Sequence, residues 1–300
     1  MSSVPVGQAA ARGPGIQEHL LSRLLGFAEP RPAIYHYTTQ GGLLGILATK
    51  TIRCTDIRFL NDSRELRHAA ELTSAILEKR TKRAEGAQAL YNEFTRAAKI
   101  LPDYPIYVTS FSEERDLLSQ WRAYGHGSGF AIGFSAVEIM RQILPSGLPG
   151  VLLKCVYDTT EQEIEINYAI EYLIRVYGEQ ETKEHSREFT RHFFGFLVMA
   201  AACFKHPSFR EEREWRLVLR TPVNRLLDTQ LHFRLGTSTL VPYIEFALAP
   251  PEKGIPIQEI VVGPNPNLEL SCSVVRQLLD RLKPKCEAKV DPSAIPYRNW

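Results

Sequence analysis

Residues 34–47 constrain the fold most strongly, because a β-rich apolar run there passes through a pair of glycines into a helical pattern. The run follows two prolines and consists largely of β-branched and aromatic residues, which predicts a strand that begins just after a chain breaker. Thr39 is placed to cap the helix that follows. That helix has leucines at helical spacing, at Leu43, Leu44 and Leu47. His36 then lies near the turn, where it is either satisfied by its neighbours or functional.

The composition is that of an ordinary globular chain. Its 300 residues are 44% hydrophobic and 23% charged, which is enough to bury a sizeable core. The 36 basic and 34 acidic residues give a net charge of +2, which neither requires nor excludes a nucleic-acid partner. The five cysteines are scattered and never spaced as CxxC, so we expect reduced thiols in a cytoplasm. Cys203 and His206 have a spacing that suits two metal ligands, but no second pair accompanies them, and we predict no metal.

Residues 1–30 are expected to form a disordered tail followed by a short helix. The first 15 residues are mostly small or proline, and they lack the basic start and apolar run of a signal peptide. Leucines at helical spacing follow between residues 17 and 27. The most hydrophobic stretch, residues 193–204, is far shorter than the roughly 20 residues that a bilayer requires. We therefore predict no membrane association.

The order of strand and helix patterns predicts an α+β fold. Residues 31–300 contain neither a repeat nor a long linker, which favours a single mixed domain with a helical insertion at about residues 160–204. The glycine-rich turn at residues 125–129 precedes a strand, whereas a dinucleotide-binding loop follows a strand and opens a helix. We therefore exclude a Rossmann fold.

Residues 205–216 have the densest charge in the chain, with three carboxylates and four cations. A strand entering at Glu212 would place Glu212, Glu214 and Arg216 on one face of a sheet. Two such carboxylates can divide the work of breaking a glycosidic bond, one stabilising positive charge and the other moving a proton. A salt-bridge ladder at the surface is an equally open interpretation.

Two weaker patterns accompany this charged segment. Ser110 and Ser112 lie on one face of a strand end, where they either hold a carboxylate or a ribose, or simply begin a turn. Trp121 and Tyr124 are three residues apart on a predicted helix, which indicates either core packing or a platform for a ligand.

Several motifs, taken together and in this order, resemble those of DUF2971, a prokaryotic family of unknown function, from about Ile34 to Arg298. They are Tyr35 to Thr38; Phe59 to Asp62 with Glu65; Ser110 to Ser112; Trp121 with Tyr124; Lys205 with residues 212–216; Gly263 with Pro264; and residues 295–298. The first strand and its glycine-rich helix also resemble the start of DarT-type toxins and other ADP-ribosyltransferases. This second resemblance covers motifs only.

The resemblance to ADP-ribosyltransferases implies a split sheet, NAD as the substrate and a three-part site. In that site His36 is the first-strand contact to NAD, with Thr38 beside it, Ser110 and Ser112 form the second part, and Glu214 is the catalytic residue with Glu212 near it. Stacking on nicotinamide is implied for Tyr35, Tyr37 or Trp121, and Tyr124 is a further candidate for binding NAD. The pyrophosphate would meet Arg64 or Arg216.

The implied function is transfer of ADP-ribose from NAD to a nucleic acid or protein, as in toxins and phage-defence effectors, with a possible antitoxin or regulator as a further partner. A carboxylate bound to the ribose would stabilise the ribosyl cation that remains when nicotinamide leaves. Two alternatives stay open. One is a non-catalytic nucleotide or peptide binding module in which His36 and the two glutamates are structural, and the other is an NAD glycohydrolase.

Overall fold

A computed structural model describes residues 15–26, 31–60, 65–82, 88–125, 129–143, 146, 150–177, 183–219 and 231–296. Several predictions concern residues outside these ranges. They are the tail at residues 1–14, Asn61, Asp62, Arg64, the centre of the glycine-rich turn at 126–128, and residues 297 and 298.

Helices and strands alternate along the described chain, as the sequence pattern predicts for an α+β fold. The helices are α1 (Ile16–Leu25), α2 (Gln40–Thr49), α3 (Glu65–Thr81), α4 (Gln88–Ile100), α5 (Leu118–Tyr124), α6 (Ala136–Ile143), α7 (Thr159–Tyr177), α8 (Lys183–Cys203) and α9 (Leu268–Asp280). The strands are β1 (Ala33–Thr38), β2 (Thr51–Asp56), β3 (Tyr107–Ser112), β4 (Phe130–Ser135), β5 (Gly150–Lys154), β6 (Glu214–Leu219), β7 (Leu231–Leu235), β8 (Leu240–Ala247), β9 (Ile257–Val262) and β10 (Lys289–Pro292). The predicted helical insertion at about 160–204 corresponds to α7 and α8.

The described strands form one mixed sheet in the order β10-β9-β4-β1-β3-β2-β8-β7, with β6 paired to β3 and β5 paired to β6. Strand β3 is the branch point. One of its edges pairs with β6 over the whole strand, from Tyr107 to Ser112. Its other edge pairs with β1 only at Ser112 and with β2 only at Tyr107 and Val108. The sheet therefore opens between β1 and β2 along the middle of β3.

Two apolar layers cover the sheet. Val108, Val151 and Val218 share the first face, which packs against a helical layer made of α1, α3, α4, α7 and α8. Phe111 and Trp215 share the second face, which packs against α2, α6 and α9. A smaller aromatic cluster of Tyr35, Tyr37 and Trp121 covers the first face near β1 and β4. Because opposed residues of an antiparallel pair place their side chains on the same face, this arrangement decides which candidate site residues can meet.

The segment before β6 differs from the predicted strand. Pro207–Glu212 forms a 3-10 helix whose first turn is capped by His206, with Pro207 in the first turn, where its missing N–H is not required. Arg213 has a left-handed backbone with φ of 42°, and β6 begins only at Glu214. Glu212 therefore lies in the helix that leads into the strand.

The structure also describes the cysteines and the apolar helices, on which the composition led to predictions. All five cysteines are free and buried. Among the helices of the described part of the chain, none has both the length and the apolarity that crossing a bilayer requires.

Candidate functional site

Two acidic and two basic side chains meet at the start of β6 on the first face, and we call them the charged cluster: Lys205, Glu212, Glu214 and Arg216. Lys205 Nζ donates to Oε2 of Glu212 and, at 2.5 Å, to Oε2 of Glu214. Arg216 Nε donates to Oε1 of Glu214 at 2.7 Å, and Arg216 Nη1 donates to the Ala202 carbonyl oxygen at 3.0 Å. Lys205 thus joins the two carboxylates although only Glu214 belongs to the strand.

The two glutamates of the charged cluster have different environments. The Glu214 side chain is 5% exposed, and both of its oxygens accept charged hydrogen bonds. Burial opposes its ionisation, but Arg216 and Lys205 together lower the pKa of Glu214 to about 2. The Glu212 side chain is 19% exposed, and burial raises its pKa although Lys205 opposes the rise. Its Oε1 accepts no hydrogen bond from the residues that the structure describes.

Tyr124 lies beside the charged cluster at the end of α5. Loss of hydration raises the pKa of its hydroxyl, and the negative charges of Glu214 and Glu212 raise that pKa further. The residue nevertheless remains 38% exposed. Trp121, which the sequence places on the same helix face, is only 2% exposed. The Trp121 ring is therefore buried, whereas the Tyr124 ring is accessible.

The two serines of β3 have different roles in the structure. Ser112 is buried, and its hydroxyl donates to the Glu212 carbonyl oxygen at 2.7 Å while it accepts from the Glu114 amide. It thus fixes the backbone of the 3-10 helix that carries Glu212. Ser110 is half-buried opposite Arg216 on the first face, and its hydroxyl makes no hydrogen bond to a described residue. Of the two, Ser110 is the one available to a ligand.

His36 is not brought together with Glu214. The register pairs Tyr35 with Ser112 and Ser112 with Glu214, so these three side chains share the first face. Successive side chains of a strand point to opposite faces, so His36 lies on the face opposite to Tyr35, and Thr38 lies on the same face as His36. On this second face, the centroids of the His36 and Phe111 rings are 5.9 Å apart. His36 Nδ1 lies 3.0 Å from the Ser110 carbonyl oxygen, at the opening between β1 and β2. This differs from the single NAD site that the resemblance implies for His36 and Glu214.

The rings of the aromatic cluster are buried, and their polar atoms have partners. The Tyr35 hydroxyl donates to Glu259. The Tyr37 hydroxyl donates to the Glu114 carbonyl oxygen at 2.7 Å, and the ring packs edge-on against Trp121 at 4.7 Å. The structure thus places these three candidate stacking residues in the core. Arg216, a candidate for the pyrophosphate, is likewise 1% exposed and bound to Glu214.

An open cavity of about 550 Å³ lies between α5 and the 3-10 helix Pro207–Glu212. Its lining residues are Leu117, Leu118, Ser119, Arg122, Ala123 and Glu211. Two lining residues are adjacent in sequence to residues of the candidate site, since Tyr124 follows Ala123 on α5 and Glu212 of the charged cluster follows Glu211 on the 3-10 helix. Sequence reasoning did not single out Ser119 or Arg122, since only the fold shows that α5 faces the 3-10 helix.

Asp116 holds α5 in place, a role that the sequence pattern does not indicate beyond a position near the helix start. Its Oδ1 accepts from Trp121 Nε1 at 2.7 Å and from the Ser293 hydroxyl at 2.6 Å, and its Oδ2 accepts from the Ala294 amide at 2.7 Å. One carboxylate thereby joins α5 to the segment that follows β10. An indole and a chain segment 177 residues away offer no local pattern from which to predict this contact.

We expect Asp116→Ala to destabilise the fold by about 2 kcal/mol or more, because three donors lose their shared acceptor in a partly buried place. The free energy of unfolding measured in urea checks this value. Asp103→Ala, at an exposed carboxylate, is the matched control and should change that free energy by less than about 0.5 kcal/mol. Equal stability of the two variants would show that the Asp116 contacts contribute nothing to folding.

The part of the chain that contains most of α5 and the whole charged cluster also matches a known family. The family model is that of DUF2971, a protein of unknown function, and it matches residues 120–217. Neither a curated protein nor a solved structure matches the chain. This match confirms the resemblance to DUF2971 over residues 120–217, whereas the resemblance to DarT-type ADP-ribosyltransferases stays a prediction. Among the described residues, no group of three or more His, Cys, Asp or Glu side chains is arranged to hold a metal ion.

Proposed function

For this DUF2971-type chain we propose an NAD-dependent ADP-ribosyltransferase whose reaction takes place beside Glu212. The observation that carries the proposal is the position of Glu212, where one carboxylate oxygen binds Lys205 and the other accepts no hydrogen bond from a described residue. The accessible ring of Tyr124 lies next to it. A carboxylate can stabilise the positive charge that develops on the ribose, and an exposed aromatic ring can stack on nicotinamide.

The chemistry follows from the charge that develops in the reaction. When the bond between ribose C1′ and nicotinamide breaks, the electron pair leaves with nicotinamide and positive charge develops on the ribose. Glu212 accepts a hydrogen bond from a ribose hydroxyl and stabilises that charge. A nucleophile of the acceptor then bonds to C1′ and gives up its proton. Lys205 holds one oxygen of Glu212, which leaves the other directed to the ribose.

Glu214 acts through its neighbours in this proposal. Because both of its oxygens are bound by Arg216 and Lys205, it is a positioning residue that holds Lys205 against Glu212. Ser110, whose hydroxyl makes no hydrogen bond to a described residue, lies on the same face and binds the ribose or the nicotinamide amide. His36 lies outside this site on the second face. The opening of the sheet along β3 supports the proposal, because the resemblance implies a split sheet.

The acceptor in this proposal is a nucleic acid or a protein of the cytoplasm, and the biological role is that of a toxin or phage-defence effector under the control of an antitoxin or other regulator. Water as the acceptor would make the chain an NAD glycohydrolase. Release of nicotinamide from NAD by the purified chain tests the shared first step, and labelling of an acceptor separates transfer from hydrolysis.

A non-catalytic nucleotide or peptide binding module is the second candidate, and the pairing of Glu214 favours it. Two acids and two bases that balance in charge and bind one another are also what a purely structural network contains. In that case variants of the charged cluster would lose stability, and there would be no turnover to lose.

We expect Tyr124→Ala to raise the KM for NAD by about 10-fold, because it removes the stacking surface beside Glu212. Tyr124→Phe keeps the ring and should change KM less than about 3-fold. Initial rates of nicotinamide release, measured over a range of NAD concentrations, give both values. Equal effects of Ala and Phe would assign the role of Tyr124 to its hydroxyl and would contradict stacking.

A further inference from the structure

The hairpin of β7 and β8 ends the described sheet and exposes apolar side chains there. Among the described strands β7 pairs with β8 alone, so its other edge, which we call the open edge, has no partner strand. The exposed fraction is 59% for Phe233, 84% for Leu235 and 56% for Leu240. Proteins usually protect such an edge with charges, proline or a covering segment, because an open apolar edge pairs with other chains. An apolar patch at this place therefore indicates a surface for a partner.

The backbone of β7 supplies hydrogen-bonding groups along the open edge. At the hairpin turn the Gly236 amide donates to the Thr239 carbonyl oxygen at 3.0 Å, and the register pairs Arg234 with Val241. Hydrogen-bonded and non-hydrogen-bonded pairs alternate in an antiparallel ladder, so the amide and carbonyl of every second β7 residue point away from β8. An added extended strand can hydrogen-bond to these groups. They belong to the open-edge residues Leu231, Phe233 and Leu235.

The two faces of β7 differ in their chemistry. The open-edge residues lie on the second face, and Leu231 packs partly against the apolar layer there, so the exposed patch continues from the core. Arg234 lies on the first face, where the register places Val241 opposite it. Its Nη1 lies 3.5 Å from the Leu235 carbonyl oxygen, which points to the open edge. The guanidinium therefore lies at this edge, and it makes no ion pair with a described residue.

A second copy of the chain would not neutralise the charge of Arg234. Symmetric antiparallel pairing of two β7 strands through all the open-edge residues places Phe233 opposite a second Phe233, and Arg234 opposite a second His232. No carboxylate then meets the guanidinium. Cross-strand pairs of opposite charge stabilise a sheet, and so do pairs of apolar side chains. The pattern of β7 therefore favours a different chain, with carboxylates on one face and apolar side chains on the other.

We propose that β7 is a docking strand for an extended segment of another protein, in which apolar residues alternate with acidic ones. The segment adds a strand to the sheet at the open edge. Its apolar side chains cover Phe233 and Leu235 on the second face, and its carboxylates meet Arg234 on the first face. Strands β2 and β8 separate β7 from β3, which pairs with the strand of the charged cluster, so docking requires no NAD.

The experiment titrates two labelled heptapeptides with the full chain and follows binding by fluorescence anisotropy. One peptide alternates valine with glutamate, and the other alternates valine with lysine. We expect the acidic peptide to bind about 10-fold more tightly than the basic one. Arg234→Glu should reverse this preference, because the lysines then meet a carboxylate. Arg281→Glu, at an exposed position just after α9, is the matched control and should keep it.

A second variant tests the backbone of the open edge. Phe233→Pro removes an amide that points away from β8, so the ladder of the hairpin keeps its hydrogen bonds. It should abolish binding of the acidic peptide while the melting temperature changes little. The proposal is overturned if neither peptide binds, if Arg234→Glu leaves the preference unchanged, or if folded Phe233→Pro binds as the unmodified chain does. A dimer in sedimentation that Phe233→Pro converts to a monomer would assign the open edge to a second copy instead.

Discussion

Replacement of Glu212 by Gln should lower the rate of nicotinamide release from NAD on the order of 100-fold, while the fold stays intact. The amide has nearly the same shape, but it cannot place a negative charge beside the ribosyl cation, and loss of one such electrostatic contact costs about this factor in other enzymes. The fold should tolerate the change because the side chain is partly exposed and Lys205 keeps its bond to Glu214.

The dependence of turnover on pH is a second measurement, and a purely structural role of Glu212 would not change it. Burial raises the pKa of Glu212 above its ordinary value of 4.5, so turnover should fall as the pH decreases through this raised value, where the carboxylate becomes protonated. Glu252→Gln, at an exposed position, is the matched control and should keep both the rate and the profile. Full turnover in Glu212→Gln would remove Glu212 from the reaction.

Replacement of Glu214 by Gln should destabilise the fold by about 3 to 5 kcal/mol, because it removes the charge of the carboxylate that the buried Arg216 guanidinium binds. Arg216 is 1% exposed, and its guanidinium donates to the Glu214 carboxylate. Unfolding in urea, followed for the unmodified chain, Glu214→Gln and the control Glu252→Gln, gives the differences in the free energy of unfolding.

The same variant should alter how stability depends on pH. The pKa of Glu214 is lowered from 4.5 to about 2 in the folded chain, so the contribution of this ionised carboxylate is complete above pH 4.5 and is lost as the pH falls towards 2. Glu214→Gln lacks that part of the dependence. A variant that unfolds at the same urea concentration as the unmodified chain but releases no nicotinamide would instead identify Glu214 as the catalytic residue.

Most of the regular elements could be predicted from sequence because they follow local rules. The cap at Thr39 is one example, since its side chain accepts from the Gly42 amide as its position before the helix predicts. The strands β1, β4, β6 and β9 likewise have apolar runs bounded by breakers. Strands β7 and β10 and helix α6 were missed, because β7 is an exposed edge strand with a weak pattern and the other two are short.

The candidate site was predictable only in part. The sheet face on which a side chain lies, and the residues that it meets there, depend on the register in which the strands pair. A single pairing, Tyr35 with Ser112, decides that His36 points away from Glu214, and nothing local to residues 34–38 specifies it. Glu212 reaches Glu214 in spite of lying outside the strand, because the left-handed Arg213 turns the chain and Lys205 bridges the two carboxylates. The sequence pattern singled out two glutamates that the structure brings together on Lys205, although the geometry that joins them is different.

The burial of the aromatic residues was also beyond local inference. Trp121 and Tyr124 are three residues apart, a spacing that predicts a shared helix face. Trp121 is nevertheless fixed in the core by Asp116 and Tyr37, while Tyr124 stays accessible beside the charged cluster. The helix α5 has seven residues and ends at Tyr124. The Tyr124 side chain therefore has an environment different from that of Trp121 in the preceding turn.

The most direct test of the central claim is incubation of the full chain with NAD labelled in its adenosine part, together with separate pools of cellular DNA, RNA and protein. Nicotinamide and free ADP-ribose are measured alongside the label in each pool, with Glu212→Gln and Glu252→Gln as the paired variants. The proposed transferase predicts nicotinamide release and label in one pool, both lost in Glu212→Gln and kept in Glu252→Gln. No nicotinamide, no label and no NAD-dependent rise in melting temperature would contradict it and favour the non-catalytic binding module.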